Sequence, residues 1–407
     1  MDEKRLKDLV CPAKKNNRLC QGNLELKRSA SYTPTSFLPS PLTSYPLPNG
    51  ERKGRRGGGL RRGGKRNSSE IWEGILRCNR CKAEYPILLG IPILMENIKK
   101  YLRENYYYLT GVSRLNGNLS QKMHSYLMSQ ILLTLKSPKE KLFPKQRRYN
   151  RNTASNFLRG SGSSLLNHYD NLMDIVNKDE PLYDFFHRYA QKSPYLVLEE
   201  MAQKYANGKE IAVEVGCGVG GLTAKLSRFY NFAYGVDTSL EILLLARRII
   251  KGLPEGLNKY RIYQERNKYY FRSINIKKGK NVEFICASGN SLPFRDKSID
   301  AVCSCNLIDV VKEPRVLLQE KIRILKNKGM FLISDPYDFQ PSRMKEFPGQ
   351  RRKPAIEVIK EGIKKKIKIV EERDNIPWIT RSYKRNYGIY FNHCLAGIRK
   401  DENPKRR

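Results

Sequence analysis

Glu214 stands next to last in the β-branched run 211–215, and Gly216, Gly218, Gly220 and Gly221 follow it before a stretch, Leu222–Tyr230, with the apolar spacing of a helix. A strand that breaks at glycines directly into a helix lets backbone N–H groups and the helix N-terminus approach a polar ligand closely. Gly216, Gly218 and Gly221 satisfy the dinucleotide spacing G-x-G-x-x-G. Glu214 with Gly216, Gly218 and Gly220 equally satisfies an acid-led glycine turn, and a purely structural strand–helix turn is the plain alternative. About twenty residues later the run Phe232–Asp237 ends in an acid, where a carboxylate can accept both hydroxyls of a ribose. Asp237 could also simply cap the helix that begins near Ser239. A second constellation lies near the N-terminus. Cys78 and Cys81 are spaced for a tight knuckle, and Cys11 and Cys20 complete a set of four thiolates such as Zn²⁺ takes in tetrahedral sites. Cys20 lies nine residues after Cys11 instead of the usual three.

These residues need elements to hold them. After the strand 232–237 the pattern predicts a third strand at 282–287, leading into Ser288-Gly289-Asn290-Ser291-Leu292-Pro293-Phe294. A fourth strand runs from Ser298 to near Asn306. A helical stretch, Leu318–Leu325, precedes Lys326-Asn327-Lys328-Gly329 and a fifth strand, Met330–Asp335. The segments from Ile376 to Arg381 and from Tyr387 to Lys400 read as a closing antiparallel hairpin. Upstream, 167–205 reads as two helices, with Tyr169, Leu172, Ile175 and Val176 on one face and Leu182, Phe185, Phe186 and Tyr189 on another.

In this order the chain resembles the S-adenosylmethionine (SAM)-dependent methyltransferases of the seven-stranded Rossmann-like, type 11-like kind. The resemblance rests on the acid-led glycine turn, Gly235-Val236-Asp237, Leu292-Pro293-Phe294, Asp300, and Arg323-Ile324-Leu325-Lys326. It implies an α/β fold: a Rossmann-like seven-stranded sheet with a terminal antiparallel hairpin, binding SAM. By the same resemblance Glu214, Gly216, Gly218 and Gly220 surround the methionine part, Asp237 holds the ribose, and Asn306 lines the pocket near the methyl group. The family commonly places an aspartate after the third strand for the adenine amino group; Ser288 stands there, a neutral and weaker acceptor. The N-terminal segment, with Cys78, Cys81 and the run Tyr85-Pro86-Ile87 to Gly90-Ile91-Pro92, resembles the small zinc ribbons that activate tRNA, rRNA and release-factor methyltransferases. Here it is fused to the catalytic part, which implies structural Zn²⁺ on Cys11, Cys20, Cys78 and Cys81.

The expected organisation is a ribbon over 1–97 with a disordered basic insert at about 28–69, and a basic, Tyr-rich linker or helical region over 98–166. The methyltransferase domain follows over 167–400, then a basic tail, 401–407. No apolar run approaches the roughly 20 residues of a membrane span. Met1-Asp2-Glu3-Lys4 lacks the apolar stretch of a signal peptide, and the cysteines Cys217, Cys286, Cys303 and Cys305 fall in or beside core strands; both point to a soluble, cytoplasmic protein in a reducing compartment. Much of the formal charge of +37 sits in the Arg/Gly tract 51–66, in the Tyr- and Lys-rich insert 251–280, in Lys364–Lys368 and in the tail. Cations read phosphates and exposed aromatics stack on bases, which fits an RNA or ribosome-associated partner; solvated basic faces are the plain alternative.

The methyl acceptor would lie at the ends of the fourth and fifth strands. Asp335 and Tyr337 in Asp335-Pro336-Tyr337-Asp338, Arg381, and His393 are the candidates for contacting it or moving its proton. Tyr337 stands where amino-methylating enzymes carry a second proline, so base N-methylation is not assigned from this motif. Three functions stay open: methylation of RNA or a translation-related macromolecule; methylation of a small amino-acid-like metabolite, with Arg381 clamping its carboxylate; and a non-catalytic RNA-binding scaffold with a vestigial pocket.

Overall fold

The alternation of apolar runs and amphipathic stretches folds, in a computed structural model, into one long sheet with helices on its faces. The structure describes residues 1–15, 18–31, 70–105, 164–170, 174–252, 256–265, 268–276, 279, 281–339 and 353–401. The Arg/Gly tract, the bulk of 98–166, Leu172 and the end of the basic tail lie outside the described residues.

The N-terminal unit contains the short pair β1 (Lys14–Lys15) and β2 (Arg18–Leu19), then β3 (Leu24–Ser31), β4 (Ile71–Cys78), β5 (Glu84–Leu88) and β6 (Ile91–Leu94). Helix α1 (Ile98–Glu104) follows, its N-terminus capped by Asn97, whose side chain accepts from the N–H of Lys100 at 3.0 Å. Then come α2 (Tyr183–Tyr189), α3 (Pro194–Tyr205), β7 (Ile211–Val215), α4 (Gly221–Leu226), β8 (Phe232–Asp237) and α5 (Leu240–Ile250). The hairpin β9 (Lys259–Tyr263) and β10 (Tyr269–Ser273) precedes β11 (Val282–Ala287), β12 (Ile299–Cys305), α6 (Pro314–Ile324), β13 (Leu325–Asp335), α7 (Ala355–Ile363), β14 (Ile367–Tyr383) and β15 (Asn386–Arg399).

Strands β14-β15-β13-β12-β7-β8-β11 form the seven-stranded sheet that the sequence implies. Its members are parallel except β15, antiparallel to both β13 and β14. The central strands β7, β8, β11 and β12 are buried almost throughout, as parallel strands covered on both faces must be. The sheet does not stop at β11. β6 pairs with it in parallel, Ile93 opposite Cys286 and Leu94 opposite Ala287, so β5, β4 and β3 continue one eleven-stranded sheet. The ribbon is thus an extension of the catalytic sheet, a feature absent from the sequence pattern.

Other expectations shift at their edges. α6 starts at Pro314, where proline's missing N–H costs nothing, and so begins before Leu318. α4 ends at Leu226, earlier than the spacing predicts. β13 begins at Leu325 and absorbs Lys326–Gly329 as an irregularity between its pairings at Ile299 and Ala301. The 167–205 region holds a helical turn at 164–169 besides α2 and α3. Phe186 is buried, but Tyr189 is 59% exposed, so α2 buries a narrower stripe than its apolar spacing implies.

Candidate active site and metal centre

The glycine turn is built as its residue types require. Gly216 and Gly220 sit at φ +73° and +83°; an added Cβ would meet Leu307 at 2.7 Å in the first case and Ile250 and Phe284 at 2.9 Å in the second. Only glycine fits both the backbone and the space. The N–H groups of Gly216 and Cys217 both donate to the carbonyl of Val236, at 2.8 and 3.0 Å, which locks the turn onto the end of β8.

Glu214 is buried under this turn. One carboxylate oxygen accepts from the Thr223 N–H at 2.7 Å and from the Thr223 hydroxyl, capping the first turn of α4. Its other oxygen, Oε1, is buried with no hydrogen-bond partner among the described residues. Burial pushes the Glu214 carboxyl up to about 8. Asp237 accepts from the N–H of Gly218 (3.1 Å) and of Ser239 (2.9 Å), so the same carboxylate fastens the glycine turn and starts α5. Burial raises its pKa too. Both the cofactor and the helix-start readings of Asp237 are therefore compatible with its geometry.

Ser288 follows β11, and its hydroxyl accepts from the Asn290 N–H at 3.2 Å. Asn306 follows β12 at φ +54°. Its Oδ1 accepts from Asn392 Nδ2 at 2.5 Å, while its own Nδ2 is buried with no partner among the described residues. Glu214 with its turn, Asp237, Ser288 and Asn306 thus lie at the C-terminal ends of four adjacent parallel strands, in the order β12-β7-β8-β11. This is where open α/β sheets hold ligands. The glycine turn, on which His168 packs, the Glu214 oxygen and the Asp237 carboxylate are the groups at this rim that would face the ammonium group and ribose of a cofactor.

The four acceptor-side candidates divide. Asp335, fully buried, accepts from the N–H groups of Leu307 (3.0 Å), Ile308 (2.8 Å) and Tyr337 (2.9 Å); it pins the loop that carries Asn306. Burial, with Asp309 adding repulsion, pushes its carboxyl up to about 7. The Tyr337 hydroxyl is 3.1 Å from His393 Nδ1, and His393 Nε2 is 3.1 Å from Glu372. Tyr337 itself is at φ +59°, an unusual conformation for a ring-bearing residue. Arg381 lies apart, six residues along β15 from His393 by its pairing with Tyr387, or about 20 Å at strand rise. Its guanidinium faces Glu180 (3.5 Å), the Tyr387 hydroxyl (3.2 Å) and the Tyr263 carbonyl (3.3 Å).

Several site neighbours escape sequence reasoning because they come from distant chain segments. His168 Nδ1 accepts the N–H of Gly221 at 3.1 Å, and its Nε2 is 3.1 Å from the Tyr195 hydroxyl; burial pushes the imidazole down to about 3, which keeps it neutral. Tyr169 donates to the Val219 carbonyl. Asp170 holds Arg272 and accepts from the Tyr260 hydroxyl at 2.8 Å, so the 164–170 segment ties the β9–β10 hairpin to the glycine turn. Behind it is a cavity of about 330 Å³ walled by His168, Tyr195, Lys225, Arg228 and Trp378; neither Glu214 nor Asp237 lines it.

The four ribbon cysteines come together as their types imply. All four sulfurs lie within 4.8 Å of one another, with Cys11–Cys81 at 3.5 Å and Cys20–Cys78 at 3.7 Å. A tetrahedral Zn²⁺ with bonds of about 2.3 Å sets sulfurs about 3.8 Å apart. The N–H groups of Arg80 and Cys81 point at Cys78 Sγ, each at 3.4 Å, as in a metal knuckle. The long spacing between Cys11 and Cys20 is taken up by the β1–β2 hairpin, whose pairing of Lys14 with Leu19 returns the chain to the cluster. The donor set fits structural zinc.

Residues 213–333 match the sequence family described as "Methyltransferase domain". That stretch is a methyltransferase domain. The resemblance to SAM-dependent methyltransferases drawn from the sequence is thereby borne out, and the fold agrees with it. No curated protein matches the chain. Among solved structures, the YcgJ protein of Bacillus subtilis is 16% identical, covering 50% of this chain and 98% of its own, with a TM-score of 0.35. A SAM-dependent methyltransferase of Methanosarcina mazei gives 17%, 50%, 98% and 0.35. The complex of the Haloferax volcanii Trm112 methyltransferase activator with a methyltransferase gives 15%, 54%, 93% and 0.34.

Proposed function

We propose that this chain is a SAM-dependent methyltransferase acting in the cytoplasm on RNA or another translation-related macromolecule, with structural zinc in its ribbon. The observation that carries the cofactor reading is the joint placement of Asp237, the glycine turn and the Glu214 oxygen that has no partner among the described residues, across one rim of the sheet. When bound, SAM supplies an electrophilic methyl group. Asp237 accepts the ribose hydroxyls, Ser288 the adenine amino group, and Asn306 borders the transfer position. Asp335 holds the loop of Asn306 in place. The line Tyr337–His393–Glu372 offers a hydrogen-bonded path by which an acceptor's proton leaves the site.

The RNA reading is supported by the β9–β10 hairpin. Tyr269 and Tyr270 are each 38% exposed, and Arg261 lies over the Tyr269 ring at 4.4 Å, presenting aromatic and cationic groups together. The metabolite reading needs Arg381 free to clamp a carboxylate, whereas its guanidinium is already directed at Glu180. Among the described residues no helix is long and apolar enough to cross a membrane.

Incubation with labelled-methyl SAM and fractionated extract is expected to label RNA, and Asp237→Ala to abolish both labelling and calorimetric SAM binding. Label confined to metabolites would replace the substrate class. Failure of the wild type to bind SAM would leave only the scaffold.

A further inference from the structure

The segment bearing Cys11 and Cys20 is fastened to one loop of the catalytic domain, 288–296. The Val10 N–H donates to the Pro293 carbonyl at 2.9 Å, and Leu9 forms a β-bridge with Phe294. The Ser291 hydroxyl donates to the Pro12 carbonyl at 2.8 Å. Gln21 reaches Asp296 at 2.8 Å, and Arg295 reaches back to Asn23 at 2.8 Å. Ser291 is 1% exposed and Phe294 is fully buried, so the contacts with Pro12 and Leu9 are interior, while those of Gln21 with Asp296 and Arg295 with Asn23 lie at the surface. Val10 and Pro12 flank Cys11, and Gln21 follows Cys20. The loop they grip begins at Ser288, the residue placed at the adenine.

On its other side, this rim of the crevice rests on the helix that follows the ribbon. The Tyr101 hydroxyl donates to the carbonyl of Thr238, next to Asp237, at 2.9 Å, and accepts from Cys286 Sγ at 3.1 Å. The ribbon's two halves are joined by the β3–β4 ladder, from Leu24 opposite Cys78 to Ser31 opposite Ile71, and beyond the end of that ladder they meet at the cysteines. Segment 9–23 joins the Cys78–Cys81 turn through the four sulfurs, Asn79 N–H to Asn23 O at 3.0 Å, and Arg80 to Cys20 O at 2.7 Å. A metal among the sulfurs would therefore add a tie, beyond the backbone pairing, on the segment that grips the adenine loop.

We infer that metal occupancy of the cysteine cluster and affinity for the nucleoside cofactor are one linked equilibrium, transmitted from the Cys11 segment through Ser291 and Pro293. This rests on the SAM reading above. Linkage is reciprocal, so each ligand changes the affinity for the other by the same factor. Ser291 is a positioning residue in this scheme; it touches neither metal nor cofactor.

The test is calorimetry of the full chain with SAM, zinc-loaded and after chelation, alongside zinc affinity by indicator competition with and without saturating SAM. The loaded chain is expected to hold about one zinc, lost in Cys78→Ser/Cys81→Ser. Chelation is expected to weaken SAM binding about tenfold, within the span usual for coupled sites, and SAM to tighten zinc by that same factor. Ser291→Ala, with all four cysteines intact, keeps its zinc affinity without SAM but loses most of the SAM-induced gain. If chelation unfolds the chain, the loaded Ser291→Ala protein still decides: a gain equal to wild type overturns the inference. So do SAM affinities equal with and without zinc, and in that case the cofactor reading survives. SAM binding in neither state removes the reading itself.

Discussion

Glu214 is caught between two demands. It caps α4 through Thr223, yet its burial disfavours the charge that makes a carboxylate a strong cap. Its folded pKa of about 8 lies above the ordinary 4.5, so the folded state keeps the proton over a range where the unfolded chain releases it. Stability from this group is complete below pH 4.5 and falls as pH rises towards 8, by no more than about 1.4 kcal/mol per pH unit. Without SAM, urea unfolding of Glu214→Gln should show a stability advantage over wild type that widens from pH 5 to pH 8; parallel pH curves would contradict the buried, uncompensated carboxyl. Glu214, Asp237, Ser288 and Asn306 are legible in the sequence because each stands beside the end of its own strand. His168, Asn392, Glu372 and Glu180 are not, because each meets the site across a long chain separation that no local spacing encodes.

At the scale of elements, α5, β11 and β4 meet in a buried cluster of charge. Arg247, fully buried, pairs with Glu70 and lies 3.4 Å from Glu283; Lys251 reaches Glu283 at 2.5 Å and Glu70 at 3.2 Å, and the Met1 ammonium reaches Glu70 at 3.3 Å. Burial alone would push Glu283 up, but the ammonium, Lys251 and Arg247 outweigh it and hold the carboxyl below its ordinary value. Gly90 is at φ +76°, where a Cβ would strike the Arg247 guanidinium at 2.4 Å, so the ribbon's Gly-Ile-Pro turn is shaped around this arginine. Removing one partner of a buried charge pair strands the other. Arg247→Leu is expected to lower stability by about 3 kcal/mol in urea titration; a change within 0.5 kcal/mol, the size of an ordinary surface substitution, would show the cluster to be dispensable. The core strands were legible as apolar runs between turns. The joint between β6 and β11 was not, since each run reads the same whether its edge is paired or free.

For the whole molecule the charge of +37 decides how it meets a polyanion. Binding that neutralises phosphates on a single strand weakens with salt at a slope of about 0.7 per contact. Deleting residues 50–66, which carry the Arg/Gly tract, is expected to flatten the salt dependence of RNA binding. Tyr269→Ala/Tyr270→Ala should instead cost about 1–3 kcal/mol per base lost from the stack and leave the slope unchanged. Titrations in which neither slope nor affinity moves would assign the basic tracts to solvation alone. Composition announces such a tract, but says nothing of which face the β9–β10 hairpin presents; that depends on Asp170 and Arg272 meeting across the fold.

The parallel joint between Ile93–Leu94 and Cys286–Ala287 has a consequence for biosynthesis. The ribbon leaves the ribosome about 190 residues before the strand that completes its hydrogen bonds. At translation rates of about 5–20 residues per second, its apolar β6 edge waits on the order of ten seconds or more for that strand. During this interval the nascent chain offers chaperones, and neighbouring nascent copies, an open template that the finished protein has sealed.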